Sequence, residues 1–310
     1  MSLVLVGTVA FDSIETPYGK VEKVVGGAAT YISLSASYFT SPIGLVSVIG
    51  DDFPQETLDE LTRRGVDLSG LQIRKGEQSF YWAGRYHADL NTRDTLVTDL
   101  NVLATFDPVL PEDYTTAEYL MLGNLTPAVQ ARVLDQMKTR PKLIAMDTMN
   151  YWMDSALGEL LDVIARVDLL TINDEEARQL TGEYSLVRAA TRILTMGPHI
   201  LVIKKGEHGA LLFTKDKDDD ELHIFYAPAM PLMDVFDPTG AGDTFAGGML
   251  GYIAQTKDHS FENLKRALIY GSAMASFCVE KFSIERLLEL DTEQILKRIA
   301  QFRHLVHVDE

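Results

Sequence analysis

The chain has 310 residues, of which 46% are hydrophobic and 24% are charged, and its formal net charge is −17. This composition predicts a globular protein with a sizeable core. The acidic balance argues against nucleic acid or an anionic membrane as a partner, because both bind through a basic face. One cysteine, Cys278, excludes an intrachain disulfide. We expect a cytoplasmic protein, since the N-terminus resembles a strand rather than a signal peptide.

The first part of the chain predicts a mixture of strands and helices. An apolar run at 3–6 predicts a buried strand, and alternation around Pro17 and Gly19 predicts a hairpin over about 13–25. Helical spacing follows over 27–39, then a buried strand over 44–49 and a helix over 51–64. The aromatic-rich stretch 79–87 predicts a further, more exposed strand.

From residue 118 onward, strand-like runs alternate with helical segments. The strands are expected at 119–122, 143–146, 169–172, 200–203 and 210–213, and three helices near 241–256, 261–280 and 292–303 end the chain. Such alternation predicts a mainly parallel sheet covered on both faces. We therefore expect one three-layer α/β/α domain over residues 1–310. The acidic run 218–220 predicts a hairpin turn.

The segment from Asp237 to Gly248 carries the strongest functional signal. Gly240, Ala241 and Gly242 stand where a helix begins, and the free N–H groups of a helix N-terminus attract anions such as phosphate. Asp243 falls in the first turn. It can simply complement the helix dipole there, but beside a bound phosphate it is suited to accept the proton of an attacking hydroxyl group.

This segment closely resembles the C-terminal signature of the ribokinase, or PfkB, family of sugar kinases. The resemblance covers nearly the whole chain, and its other motifs occur in the family order: Gly26-Gly27, the run 173–176, and the run 205–209. It implies transfer of the γ-phosphoryl group of ATP to an alcohol. It also implies a ribokinase-like core and a small β lid, here about 13–25 and 78–95.

The resemblance implies an acceptor site near the first strand. Asp12 would bind sugar hydroxyl groups, although a turn-forming role is the structural alternative. Gly26 and Gly27 would allow a ligand to approach closely. Tyr31 stands where the family usually has an asparagine, and a phenol cannot replace the paired donor and acceptor of an amide. We therefore expect Tyr31 to stack on a ring or reach another hydroxyl group of the substrate.

The ATP side is also implied by family position. Asn173 and Glu176 would support Mg²⁺ through water and contact phosphates, but their spacing also fits a helix capping box. Lys205 would meet a phosphate or remain a surface lysine. Asp147 departs from the family spacing and receives no role. The residues expected around ATP are Asn173, Glu176, Lys205, Gly206, Gly209, Gly240, Gly242 and Met274.

The resemblance also implies a candidate site for a monovalent cation. Asp237 matches the first loop that holds K⁺ in many kinases resembling this chain. The second loop, 279–283, lacks the usual glycine and contains Lys281, whose ammonium group would occupy or repel such a site. We expect weak dependence on K⁺.

The resulting hypothesis is an ATP- and Mg²⁺-dependent kinase for a sugar, polyol or nucleoside. Asp243 would be the general base, and Gly240, Ala241 and Gly242 would form the anion hole. The alternatives are a nucleoside kinase of the same family and a non-catalytic ligand-binding regulator with this fold. The exposed edge of the lid could also pair two chains as a homodimer.

Overall fold

The structure is a computed structural model that describes residues 1–215 and 221–306. The predicted acidic turn at 218–220 lies outside the described residues. The strands are β1 (Leu3–Val6), β2 (Ala10–Thr16), β3 (Gly19–Gly26), β4 (Ile43–Gly50), β5 (Val66–Arg74), β6 (Phe80–Tyr86), β7 (Arg93–Asp99), β8 (Tyr119–Leu122), β9 (Leu143–Asp147), β10 (Leu169–Asn173), β11 (Ile200–Lys204), β12 (Ala210–Lys215) and β13 (Leu222–Ala227).

The helices agree with the expected rhythm. They are α1 (Ala28–Ala36), α2 (Gln55–Arg63), α3 (Pro127–Gln136), α4 (Asn150–Ser155), α5 (Leu157–Ile164), α6 (Asp174–Thr181), α7 (Leu186–Ile193), α8 (Ala241–Thr256), α9 (Phe261–Cys278), α10 (Glu285–Glu289) and α11 (Thr292–Val306). Among the described residues, no helix is long and apolar enough to cross a membrane.

The large sheet has the order β13-β12-β11-β10-β9-β8-β1-β4-β5. From β11 to β5 all neighbours are parallel, while β12 and β13 are antiparallel. The central strands are apolar on both faces: Leu3 and Leu5 of β1 join one core, and Val4 and Val6 join the other. Helices α1, α2 and α8–α11 cover the first face and α3–α7 the second, which confirms the three-layer fold.

The predicted lid forms a separate sheet with the order β3-β2-β6-β7. Strands β2 and β3 cover residues 10–26, and strands β6 and β7 cover residues 80–99. Both lid segments are therefore longer than the expected 13–25 and 78–95. Strand β7 was not predicted, and neither were β5 and β13. All seven residues of β7 are exposed, so its sequence carries no apolar periodicity.

Helices α1 and α8 pack at very short range because α8 has glycines on the contacting face. A Cβ atom on Gly247 would lie 2.5 Å from the carbonyl oxygen of Ile32, and one on Gly251 would lie 2.9 Å from the backbone of Ala36. The hydroxyl group of Ser35 donates a hydrogen bond to the carbonyl of Thr244 at 2.7 Å. This contact fixes the start of α8 relative to β1 and the loop that follows it.

We predict that Gly247→Ala lowers the free energy of unfolding by about 1–3 kcal/mol, because a backbone carbonyl must move to admit the methyl group. Urea denaturation monitored by circular dichroism measures this change. Gly158→Ala is the matched control, since Gly158 is exposed in the first turn of α5 and has nothing within 4 Å of its Cβ position. The control should keep or raise stability. Equal stability of the Gly247 variant and the wild type would contradict the tight contact.

Candidate active site

The candidate site begins at the N-terminus of α8. Gly240 has φ 74° and ψ 0°, and the N–H of Ala241 donates to the carbonyl of Pro238 at 3.2 Å. These values describe a type II turn, which requires a positive φ at its third residue. Since the N–H of Ala241 is used by the turn, the N–H groups of Gly242 and Asp243 are the ones left to face an anion.

Tyr31 lies directly beneath this turn. A Cβ atom on Gly240 would lie 2.4 Å from the Tyr31 ring, and Tyr31 is only 1% exposed. Its hydroxyl group is buried and has no hydrogen-bond partner within the described structure. This placement does not support the expected stacking of Tyr31 on a substrate ring. The ring instead packs against the turn from the core side. It leaves no room for a side chain at position 240, so the turn requires glycine there.

Asp243 occupies the first turn of α8, as predicted, and is half-buried. Burial raises the pKa of its carboxyl group to about 7, and the nearby carboxylate of Asp147 acts in the same direction. Lys204 and Arg93 lower this pKa. A carboxyl group with such a pKa is suited to accept a proton near neutral pH.

Lys204 was missed by the sequence reasoning, which selected the adjacent Lys205. The Nζ atom of Lys204 lies 2.7 Å from Oδ2 of Asp147 and 3.2 Å from the Cβ position of Gly242. Lys205 instead extends over the ring of Tyr226, at 5.8 Å. Strand periodicity could have distinguished the two lysines, because Lys204 shares the parity of buried residues on the α8 face of β11.

The same periodicity applies to Asp147, the last residue of β9. Ala145 and Leu143 belong to the core on the α8 side, so Asp147 lies on the same face at the C-terminal end of β9. Its Oδ1 atom accepts the N–H of Thr148 at 2.9 Å. Asp147 and Lys204 therefore meet above the C-terminal edge of the sheet, where ligands of parallel α/β folds bind.

Asn173 and Glu176 form the capping box that their spacing allowed. Oδ1 of Asn173 accepts the N–H of Glu176, and Oε2 of Glu176 accepts the N–H of Asn173, both at 2.7 Å. The Oε1 atom of Glu176 takes no part in the box. Burial raises the pKa of Glu176 to about 7, although Lys204 opposes this change. The capping role is thus present, and it leaves one carboxylate oxygen for a ligand.

The acceptor end combines Asp12 with the predicted glycine pair. A Cβ atom on Gly26 would lie 1.9 Å from Oδ2 of Asp12, so the carboxylate rests directly on that glycine. Gly27 has φ 92°, and its Cβ would lie 2.5 Å from the carbonyl of Thr8. Burial raises the pKa of Asp12 to about 7, and the charges of Asp237 and Asp243 add to this effect. Asp12 therefore lies close enough to Asp243 for their charges to interact.

The lid lies against the core at both ends of the site. The hydroxyl groups of Tyr86 and Thr239 are 3.1 Å apart, and Oδ1 of Asn91 lies 2.5 Å from the Cβ position of Gly206. Trp82 shares the face of β6 with Tyr86 and pairs in register with Asp12. Its indole ring lies over Gly84, whose Cβ position is 2.1 Å from the ring, and its Nε1 atom is 3.4 Å from the hydroxyl oxygen of Thr95.

The other predicted ATP residues fall into two groups. Gly206 and Gly209, with φ 54° and 82°, shape the turn between β11 and β12. A Cβ on Gly209 would lie 2.1 Å from the carbonyl of Ala227, which is a structural reason for this glycine. Met274 is fully buried and packs against Gly248. Its role as an ATP contact stays a prediction, and in this structure α9 directs its side chain into the core.

Asp237 connects the signature loop with the second predicted loop. Its Oδ1 accepts the N–H of Thr239 at 2.8 Å, and its Oδ2 accepts the N–H of Ser283 at 3.1 Å. Ser283 adopts φ 58°, a conformation that favours glycine. Lys281 pairs with Glu289 at 2.6 Å, so its ammonium group is not directed at Asp237.

Comparison with known proteins gives a consistent result. A family model described as pfkB family carbohydrate kinase matches residues 2–289. The chain is 31% identical over 259 residues to cytidine kinase of Thermococcus kodakarensis, covering 81% of this chain and 88% of that protein. It is 25% identical over 327 residues to nucleoside kinase of Methanothermobacter thermautotrophicus, covering 96% of this chain and 95% of that protein.

Solved structures share the fold over almost the entire chain. Methanocaldococcus jannaschii nucleoside kinase, a member of the ribokinase family, aligns with a TM-score of 0.74 at 20% identity, covering 97% of this chain and 99% of the other. A putative ribokinase II from E. coli in complex with ATP and Mg²⁺ aligns with a TM-score of 0.77 at 17% sequence identity, covering 98% of this chain and 99% of the other. The chain belongs to the pfkB family of carbohydrate kinases, and it is an ATP-dependent kinase.

Proposed function

We propose that this kinase transfers the γ-phosphoryl group of MgATP to a hydroxyl group of a sugar or sugar-like molecule, with Asp243 as the general base. The observation that carries the proposal is the position of Asp243. Its half-buried carboxylate stands in the first turn of α8, next to the N–H groups of Gly242 and Asp243 that the turn leaves to bind an anion. The base and the anion hole are thereby within one helical turn of each other.

The acceptor hydroxyl group would lie between Asp243 and Asp12. Asp12 accepts hydrogen bonds from other hydroxyl groups of the acceptor and so fixes which one faces the phosphorus atom. The buried site and the lid exclude water that would otherwise compete as acceptor. Asp243 takes the proton as the oxygen–phosphorus bond forms.

Mg²⁺ suits the ATP side of the cleft. The free Oε1 atom of Glu176 and the side chain of Asn173 offer the oxygen ligands that Mg²⁺ accepts, directly or through water. When bound, the ion neutralises charge on the phosphates of ATP. The residues themselves keep their capping role, which holds both side chains at the end of β10.

A nucleoside is the second candidate acceptor. Trp82 lies on the same face of the lid as Tyr86, where a base could stack on the side of its indole ring away from Gly84. The 31% identity to a cytidine kinase supports the same choice. Measuring ADP release with sugars, polyols and nucleosides separates the candidates. Absence of turnover with every acceptor would favour a non-catalytic ligand-binding regulator and contradict the proposal. Pairing of two chains through the lid stays a prediction.

We predict that Asp243→Asn reduces kcat by about 10²–10⁴-fold while ATP binding is retained, because only the proton acceptor is removed. Steady-state kinetics and calorimetric titration with ATP measure the two effects. A variant that keeps most of its kcat would exclude Asp243 as the base.

The same variant has an internal stability control. The folded-state pKa of Asp243 is about 7, above its ordinary value of 3.8, so this group lowers the stability of the fold progressively as pH rises from about 4 to 7, and the full cost is present above pH 7. Asp243→Asn should therefore raise the melting temperature at pH 8. Toward pH 4, near the ordinary carboxyl pKa of 3.8, the group is increasingly protonated in the folded and the unfolded chain alike, and the difference should disappear.

We predict that Tyr31→Phe retains wild-type kcat and KM and is at least as stable as the wild type. The lost hydroxyl group is buried without a partner in the described structure, and removing such a group is neutral or favourable. Activity assays and thermal melts measure both properties. A large rise in acceptor KM would show instead that the phenol contacts the substrate.

We predict less than a threefold change in activity between K⁺ and Na⁺ at equal ionic strength. Both carboxylate oxygens of Asp237 already accept backbone N–H groups, which lowers the need for a bound ion there. Initial rates in the two chlorides, with an organic cation as reference, measure the effect. A tenfold activation specific to K⁺ would contradict this prediction.

A further inference from the structure

The ion pair of Lys204 and Asp147 has no explanation in the fold alone. The side chain of Asp147 is 7% exposed and that of Lys204 is 19% exposed. Removing two charges from water is costly, and a buried ion pair often stabilises a protein no better than apolar residues would. Its presence at the ligand-binding edge of the sheet points to a use in binding or catalysis.

The direction of Lys204 supports such a use. Its Nζ atom lies 3.2 Å from the place where a side chain of Gly242 would begin. Because residue 242 is glycine, nothing of that residue separates the ammonium group from the N–H groups that begin α8. The ammonium group and these N–H groups therefore border the same small volume.

The surrounding charges indicate which kind of ligand fits there. Burial alone would lower the pKa of Lys204, but Asp147 and Glu176 outweigh that effect and raise it, with a further contribution from Asp243. The lysine is therefore an ammonium ion that three carboxylates surround. Only one of them, Asp147, is in direct contact with it. Two protons of the ammonium group remain for another oxygen-rich anion.

We infer that Lys204 is a catalytic residue that donates a hydrogen bond to a non-bridging oxygen of the transferring phosphoryl group, and that Asp147 positions it. This inference rests on the proposed phosphoryl transfer. During the step, the bond from the γ-phosphorus to the bridging oxygen breaks and its electrons remain on ADP. The acceptor oxygen forms the new bond, and its proton passes to Asp243. Lys204 keeps its proton throughout and stabilises charge on the phosphoryl oxygens.

The first test compares Lys204→Met with Lys142→Met. Lys142 is also ion-paired, to Glu118 at 2.6 Å, but it precedes β9 at the opposite edge of the sheet. We expect Lys204→Met to lower kcat by about 10²–10³-fold, with a much smaller change in KM for ATP. Lys142→Met should leave both constants within twofold. An unchanged kcat for Lys204→Met, or a loss confined to KM, would overturn the catalytic role.

The second test separates the roles of the two partners. Lys204→Met leaves Asp147 buried without its partner, so the variant can lose stability for that reason alone. The double variant Lys204→Met/Asp147→Asn removes both charges and keeps the shapes similar. If Asp147 acts through Lys204, the double variant should be no slower than Lys204→Met. If the double variant instead loses as much activity as the two single variants combined, the positioning role of Asp147 is overturned.

The pH dependence of kcat/KM provides a readout that a purely structural pair would not give. Lys204 lowers the pKa of Asp243 and Asp147 raises it, while Arg93 lowers it from the lid. Lys204→Met should therefore move the acid limb to higher pH, and Asp147→Asn should move it to lower pH. If both variants shift the acid limb in the same direction, or neither shifts it, the proposed arrangement of charges around Asp243 is contradicted.

The failure of this inference differs from failure of the proposed function. Activity in Asp243→Asn would reject the general base and the mechanism with it. An inactive Asp243→Asn variant beside a fully active Lys204→Met variant rejects the role of Lys204 alone. If the wild type transfers phosphate to no acceptor, both proposals fall.

Discussion

The site depends on the contact between Gly240 and the ring of Tyr31. The ring fills the space beneath the type II turn, so the backbone passes above it only where no side chain is present. The turn uses the N–H of Ala241 and directs those of Gly242 and Asp243 into the cleft. Together with the α1–α8 contact and the hydrogen bond from Ser35 to the carbonyl of Thr244, this packing holds the first turn of α8 in place.

The anion site is built inside a chain with a formal net charge of −17. The long-range field of such a protein opposes a nucleotide, so attraction must come from groups at short range. In the site that we propose, the helix N-terminus and the ammonium group of Lys204 supply this attraction, and Lys204 and Arg93 of the lid both lower the pKa values of Glu176 and Asp243. Burial also lifts the pKa values of Asp12, Glu176 and Asp243 to about 7. Ionised together, these carboxylates oppose folding, which is a cost that active sites commonly carry.

Much of the fold could be predicted from the sequence because its strands are buried on both faces and separated by helices. The alternating runs from residue 119 onward predicted the sheet, and the resemblance in the signature segment predicted the position of Asp243. The strands β5, β7 and β13 were not predicted because they lie at sheet edges, where a strand needs no continuous apolar run.

The site residues that were missed required side-chain direction rather than position along the chain. Lys204 and Lys205 are neighbours, yet only Lys204 faces α8. Met274 and Tyr31 lie near the expected ligand positions in sequence, but packing turns both side chains into the core. The capping box of Asn173 was visible in the spacing, and the structure adds that capping uses only one carboxylate oxygen of Glu176.

The small sheet of the lid borders both the acceptor side and the ATP side of the proposed site. Asp12 on β2 lies at the end of the site that we propose for the acceptor, and Tyr86 on β6 contacts Thr239 in the signature loop. Beyond β6, Asn91 reaches the turn at Gly206 on the ATP side. Because these groups belong to one hydrogen-bonded sheet, a movement that brings Asp12 toward an acceptor also brings the β6–β7 turn toward ATP. The same sheet can therefore exclude water and assemble the charges around the phosphoryl group in a single closure.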